Sequence, residues 1–218
     1  MESDDTIKID ALDKKECMRY MGASGLEPEG VLKDLIEECE EVIKKEINPK
    51  YVYRVLDANQ IHFPGNEIAE HLKGCEKIVM MCATVSANID RLLRKTEITD
   101  MTKALIYDCM ASVAVEEICE QVEMIIRKKL PQYYMTWRYG VGYGDFPLEY
   151  QDTFLRILDA TKLIGVHVSE NHILIPRKSV TCVIGLSRKP ILNNKRGCAS
   201  CNMRERCQFR KKGERCGF

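Results

Sequence analysis

Two stretches of this 218-residue chain hold residues whose types and spacing suit chemistry. The first is Arg138-Tyr-Gly-Val-Gly-Tyr-Gly-Asp-Phe-Pro147, in which three glycines fall within five residues. Glycine at that density permits backbone angles that other residues resist, so the stretch reads as a shaped loop. Arg138 can grip a carboxylate in two-pronged fashion, Gly140 and Gly142 offer backbone donors and acceptors, and Tyr143 offers an aromatic face. Together these parts suit an amino acid joined to a flat ring. The spacing expects Gly142 close to a ligand or at a positive backbone angle. The order Gly-x-Gly-x-Gly is not a dinucleotide fingerprint, because no phosphate-binding helix start follows it and no matching strand unit precedes it. A surface turn after an edge strand is the plain alternative.

The second stretch is Cys198-x2-Cys201-x5-Cys207-x8-Cys216, four cysteines within 19 residues among many arginines and lysines. Thiolates this close repel one another unless a cation neutralises them, and Cys-x-x-Cys lets neighbouring sulfurs clasp one centre. The spacing matches neither the pair-and-pair zinc pattern nor the ferredoxin pattern. An iron–sulfur cluster is therefore preferred, with structural zinc and unligated thiols as alternatives. Cys39, Cys82, Cys109, Cys119 and Cys182 fall on apolar stripes and read as packing residues.

Several elements must position these groups. Val31, Leu32, Leu35, Ile36, Cys39, Val42, Ile43 and Ile47 recur at helical spacing, which predicts an amphipathic helix over 29–47. A short strand follows at Tyr51–Leu56, then a helix capped by Asn66 and stopped by Gly74, and a buried strand at Ile78–Val85. Ser86 is expected to cap a helix through Leu93. The longest helix starts near Thr99-Asp100 and ends before Pro131, with Met101, Leu105, Ala111, Val115, Ile118, Val122, Ile125 and Ile126 on overlapping apolar stripes. A strand at Tyr133–Trp137 leads into the Arg138 loop, and a helix from Leu148 to Leu163 leaves it. Strands are expected at Val166–Val168, His172–Ile175 and Ser179–Leu186. Regular βαβ alternation is absent, which favours an α+β fold with a mixed, largely antiparallel sheet packed with helices. Residues 1–187 would form the main domain and 188–218 a small Cys-rich module.

Lys plus Arg equals Asp plus Glu at 33 each, so whole-chain charge argues for no polyanionic partner. The charge is uneven, with 14 acidic and 8 basic residues over 2–50 against 10 basic and 2 acidic over 188–218. No apolar run approaches the roughly 20 residues that span a bilayer, and Met-Glu-Ser-Asp-Asp is the wrong charge for a secretory signal. A soluble, cytoplasmic chain is expected. There, eleven cysteines would not be a disulfide framework.

The motif Arg138-x3-Gly142-Tyr143-x3-Pro147 resembles the signature of the activation domain of cobalamin-dependent methionine synthase. Thr99-Asp100-Met101 with Ala104, Glu116, Glu120 and Arg127 is similar to that family's long helix, and Pro176-Arg-Lys-Ser179-Val180-Thr181 to its following strand. The resemblance covers 76–187 and implies an activation-domain-like fold that binds S-adenosylmethionine. By it, Arg138 would pair with the ligand carboxylate, Gly140 and Gly142 would give backbone contacts, Tyr143 would line the pocket and Glu116 would lie near the sulfonium. Read without the resemblance, Glu116 is a solvated helix residue.

None of His62, His71, His167 or His172 sits in the family's cobalamin-binding motif, so the resemblance implies that cobalamin is carried by a partner chain. That partner would be a methionine synthase or corrinoid methyltransferase lacking its own activation domain. The family reaction adds one electron to cob(II)alamin and then a methyl group from S-adenosylmethionine, which gives an iron–sulfur tail an electron-transfer role. The alternatives are a zinc-stabilised nucleic-acid or protein-interaction module, and an independent methyltransferase.

Overall fold

The computed structural model describes residues 6–191 and, beyond them, Glu205 alone. The four tail cysteines Cys198, Cys201, Cys207 and Cys216 lie outside the described residues. At its centre three long strands pair antiparallel: β1 (Lys50–Asp57), β2 (Lys77–Thr84) and the last strand, Ser179–Ser187. β2 is buried on both faces, which is why it reads as a continuous apolar run rather than an alternating one. Val79, Met81 and Ala83 enter one apolar core, and Ile78, Met80 and Cys82 the other.

The first core is roofed by α1 (Lys14–Tyr20), α2 (Gly30–Glu46), α4 (Ala87–Thr99) and α5 (Met101–Lys129). The second is covered by α3 (Asn66–His71), α6 (Gln151–Leu158) and α7 (Ala160–Ile164). The expected α+β architecture, an antiparallel sheet packed with helices, is the one observed. Among the described residues no helix is long and apolar enough to cross a membrane.

The edge beside the last strand carries the glycine-bearing Arg138 loop. Where one strand was expected over Tyr133–Trp137, two short pairings occur: β3 (Tyr134–Met135), with Tyr134 opposite Ser187, and β4 (Tyr139–Gly140), with Tyr139 opposite Val183. Between them the Thr136 hydroxyl accepts from the Gly185 amide at 2.7 Å while the Thr136 amide donates to the Gly185 carbonyl at 2.9 Å. A side chain replaces a ladder bond, the edge strand breaks, and Arg138 emerges just after the break. β5 (His167–Val168) and β6 (Leu174–Ile175) form a separate hairpin, and the last strand is β7.

Other expectations are corrected by tertiary contacts. Gly65, not Asn66, is the cap residue of α3, and the first amides of α3 are satisfied from the distant Asp145. Ser86 stands at the α4 cap position with φ +84° and makes no capping bond. The helix predicted over 148–163 is broken at Asp159, which takes φ +54°. Met101 and Leu105, expected in the core, are 70% and 52% exposed. At 1.5 Å per residue α5 runs about 44 Å, whereas β7 runs about 30 Å, so the first turns of α5 overhang the sheet.

Candidate functional site around Arg138

The frame of the site is α5 laid along the β7 edge. Asp100 starts the helix by accepting from the Thr102 and Lys103 amides, both at 3.0 Å. Two basic side chains then clamp it. Lys178, just before β7, pairs with Asp108 at 2.9 Å and donates to Ser112 Oγ at 2.9 Å. Further along, Arg138 donates from Nη2 to Glu116 Oε2 at 2.9 Å and places Nη1 3.1 Å from Glu123 Oε1.

Glu116, Glu120 and Glu123 recur at steps of four and three, so all three carboxylates project from one stripe of α5. The Arg138 side chain is 12% exposed, Glu123 19% and Glu116 41%, which makes the pairing half-buried on its inner side and wet on its outer side. Nη1 itself is buried, and its contact with Glu123 is electrostatic without the alignment of a hydrogen bond. Burial works against the guanidinium charge, but the Glu123 and Glu116 carboxylates favour it and hold Arg138 above its ordinary value. Partial burial pushes the Glu120 carboxyl up; Arg138 pulls it back, and Glu117, Glu116 and Glu123 raise it again. Behind the guanidinium, burial pushes the thiols of Cys119 and Cys182 far up, so both stay neutral.

The loop after Arg138 is closed on itself. Gly142 donates to the Phe146 carbonyl at 2.9 Å, Tyr143 to Gly140 at 3.2 Å and Phe146 to Tyr143 at 3.0 Å. The Gly142 amide is thus engaged inside the loop, and its φ of +87° meets the expectation of a positive angle. Asp145 fastens the loop to α3, accepting from the Asn66 amide at 2.6 Å and the Glu67 amide at 3.1 Å. The Tyr139 hydroxyl donates to Glu67 Oε2 at 3.1 Å. A Cβ on Gly144, at φ +58°, would overlap the Glu67 carboxylate and the Tyr139 hydroxyl. Gly140 differs: its φ is not positive, and a Cβ there would meet nothing closer than the Thr181 carbonyl at 3.6 Å. The fold alone does not demand glycine at 140.

The structure therefore brings Arg138 and Glu116 together and puts Gly140 on the edge strand beside them. Tyr143 it sends to the other face of the sheet, where the ring packs edge-on to Tyr139 at 5.6 Å and Trp137 at 6.1 Å, against the second core. Sequence reasoning missed Glu123 as an Arg138 partner, although its spacing from Glu116 and Glu120 put it on the same stripe. His71, Trp137, Glu67 and Asp145 had no such signal, being assembled only by the fold. Among the described residues no group of three or more His, Cys, Asp or Glu side chains is placed to hold a metal ion. A cavity of about 380 Å³ lies between α6 and β5, lined by Asp152, Arg156, Asp159 and His167, and shares no residue with the Arg138 site.

No protein-family model and no curated protein sequence matches this chain. Its fold is similar to that of a solved structure described as the crystal structure of the MetH reactivation domain bound to AdoHcy. The two superpose with a TM-score of 0.64 at 14% sequence identity, over 93% of this chain and 82% of that one. The likeness thus reaches well beyond residues 76–187, and at that identity it establishes a shared fold.

Proposed function

We propose that this chain binds S-adenosylmethionine along the α5–β4 edge. There it would serve in reductive reactivation of a cobalamin-dependent methionine synthase, or related corrinoid methyltransferase, carried on a partner chain. The observation that carries the reading is the Arg138 guanidinium held on α5 among three carboxylates, in a fold similar to a domain solved with AdoHcy. Glu116, Glu120 and Glu123 against Arg138 leave a formal local charge of −2 when all four are ionised. A ligand for such a place needs a carboxylate for Arg138 and surplus positive charge for the glutamates. S-adenosylmethionine has both, since its ammonium and permanent sulfonium outweigh its carboxylate. Glu116, the wettest of the two paired glutamates, would face the sulfonium, and a carboxylate needs no proton to do so. Gly140, which the fold does not require, would clear the sheet edge where the ligand crosses from Arg138 to Tyr143.

Residues 188–218 would form the second unit, with Cys198, Cys201, Cys207 and Cys216 holding an iron–sulfur cluster or zinc. A cluster there would supply the electron that reactivation consumes. The test is titration calorimetry with S-adenosylmethionine and AdoHcy, followed by reactivation of a cobalamin methionine synthase that lacks an activation domain. Binding of both, tighter for the charged sulfonium, together with restored turnover, is expected. Absence of binding, or binding without any effect on the partner, would overturn the corresponding half of the proposal.

A further inference from the structure

On the face of the sheet opposite Arg138, four rings come together beside the loop. His71, in the last turn of α3, packs on Trp137 at 4.5 Å and on Tyr139 at 5.0 Å. Trp137 and Tyr139 lie 5.1 Å apart at 32°, and Tyr143 meets both edge-on. Tyr139 is buried, while His71, Trp137 and Tyr143 are half-buried, so the group presents an aromatic rim rather than a sealed core. His71 Nε2 is 3.0 Å from the Trp137 carbonyl. A carbonyl only accepts, so Nε2 carries the hydrogen and Nδ1 is left as a lone-pair acceptor. Burial keeps the ring neutral, with its pKa lowered to about 4. Nδ1 has no hydrogen-bond partner among the described residues and is not fully buried. A polar acceptor fixed at an aromatic rim, with its tautomer set by a backbone carbonyl, suits a flat heterocycle that offers an N–H₂ donor at its edge.

We infer that this rim seats the nucleobase of the ligand and that His71, through Nδ1, accepts a hydrogen bond from the base's exocyclic amine, making His71 a specificity-determining residue. The inference rests on the S-adenosyl reading above. Adenine presents an amine at that position; hypoxanthine presents a carbonyl, which would set acceptor against acceptor. A site built around one hydrogen bond to a donor discriminates strongly against the analogue lacking it.

The experiment compares AdoHcy with its inosyl counterpart, which carries a carbonyl in place of the amine and a hydrogen on the adjoining ring nitrogen, by calorimetry on the full chain. Wild type should prefer the adenosyl compound at least tenfold, and His71→Phe, which keeps a ring of similar bulk, should shrink the preference to about twofold or less. Nitrogen NMR of the wild-type imidazole supplies a readout independent of any substitution: the Nδ1 resonance should move on adding the adenosyl compound and stay put with the inosyl one. Equal affinities in wild type, an undiminished preference in His71→Phe, or an unmoved Nδ1 signal with ligand bound would each overturn the role of His71. Failure of both compounds to bind would take down the S-adenosyl reading as well, whereas binding without base discrimination takes down this inference alone.

Discussion

Arg138 is oriented before any ligand arrives. Its two ion-pair partners come from the same helix, 2.9 and 3.1 Å away, so the guanidinium cannot swing freely and its fork is presented in a defined plane. Truncating one partner of a largely desolvated charge pair costs about 2 to 5 kcal/mol. Arg138→Ala should therefore weaken S-adenosylmethionine binding at least tenfold in calorimetry, and unchanged affinity in a folded variant would remove the loop from the site. Arg138→Lys should rescue little, because a point charge cannot replace the fork. His71 yields a second prediction, this one about pH. Its folded pKa of about 4 lies below the ordinary 6.5, so on acidification the unfolded chain takes up the proton first. The stabilisation from a neutral, buried ring is complete above about pH 6.5 and is lost as pH falls towards 4, by up to about 3 kcal/mol. Urea unfolding midpoints between pH 7.5 and 4.5 should fall less steeply in His71→Phe than in wild type; parallel curves would refute the shift.

At the scale of elements, the broken edge strand is what gives each loop glycine a different task. Gly144 is needed by the fold: a Cβ there collides with Glu67 and Tyr139, and its angle is left-handed. Strain at a left-handed position and loss of the Tyr139–Glu67 hydrogen bond together amount to about 2 to 4 kcal/mol. Gly144→Ala should lower the thermal midpoint by about 5 to 10 °C for a chain of this size. Gly140→Ala should leave that midpoint within a few degrees of wild type and yet reduce S-adenosylmethionine affinity at least tenfold, since space there is open to a Cβ but would be taken by the ligand in the proposed site. Normal binding by Gly140→Ala would place the ligand elsewhere. Gly142→Val is predicted to lose both properties, because φ +87° strains a β-branched residue and its Cβ would sit 3.0 Å from Leu148 Cδ1.

For the molecule as a whole, the seven cysteines among the described residues divide into six buried thiols and the half-buried Cys75. Cys17, Cys39, Cys82, Cys109, Cys119 and Cys182 are buried in the two cores, and burial pushes the Cys17 thiol up to about 12. Such thiols neither ionise nor meet reagent at neutral pH. If Cys198, Cys201, Cys207 and Cys216 hold a cluster or zinc, alkylation of the native protein should modify little beyond Cys75, the half-buried one. Chelation or oxidative loss of the metal should then expose four more thiols, all mapping to the tail, without loss of the folded helical signal. Labelling of those four before any metal removal would show them unligated.

The helix over 30–46, the long α5 and the strands β1, β2 and β7 were legible in the sequence, because burial of one helical stripe, or of both faces of a strand, leaves its period in the order of residues. The Arg138 loop was legible too, since glycine density reports backbone geometry directly, but the ion pair of Arg138 with Glu116 was not, because the resemblance put Arg138 on a ligand carboxylate and Glu116 near a sulfonium. What stayed hidden was everything decided by distance along the chain. Asp145 capping α3, Thr136 standing in for a ladder bond, and His71 meeting Trp137 join residues 79, 49 and 66 positions apart, and no local pattern encodes such partners. α1 was missed because a seven-residue helix is too short to show a period. The separation of Arg138 from Tyr143 onto opposite faces was likewise set by tertiary pairing, in which the Thr136 side chain takes the Gly185 amide and Tyr139 and Gly140 lie against β7.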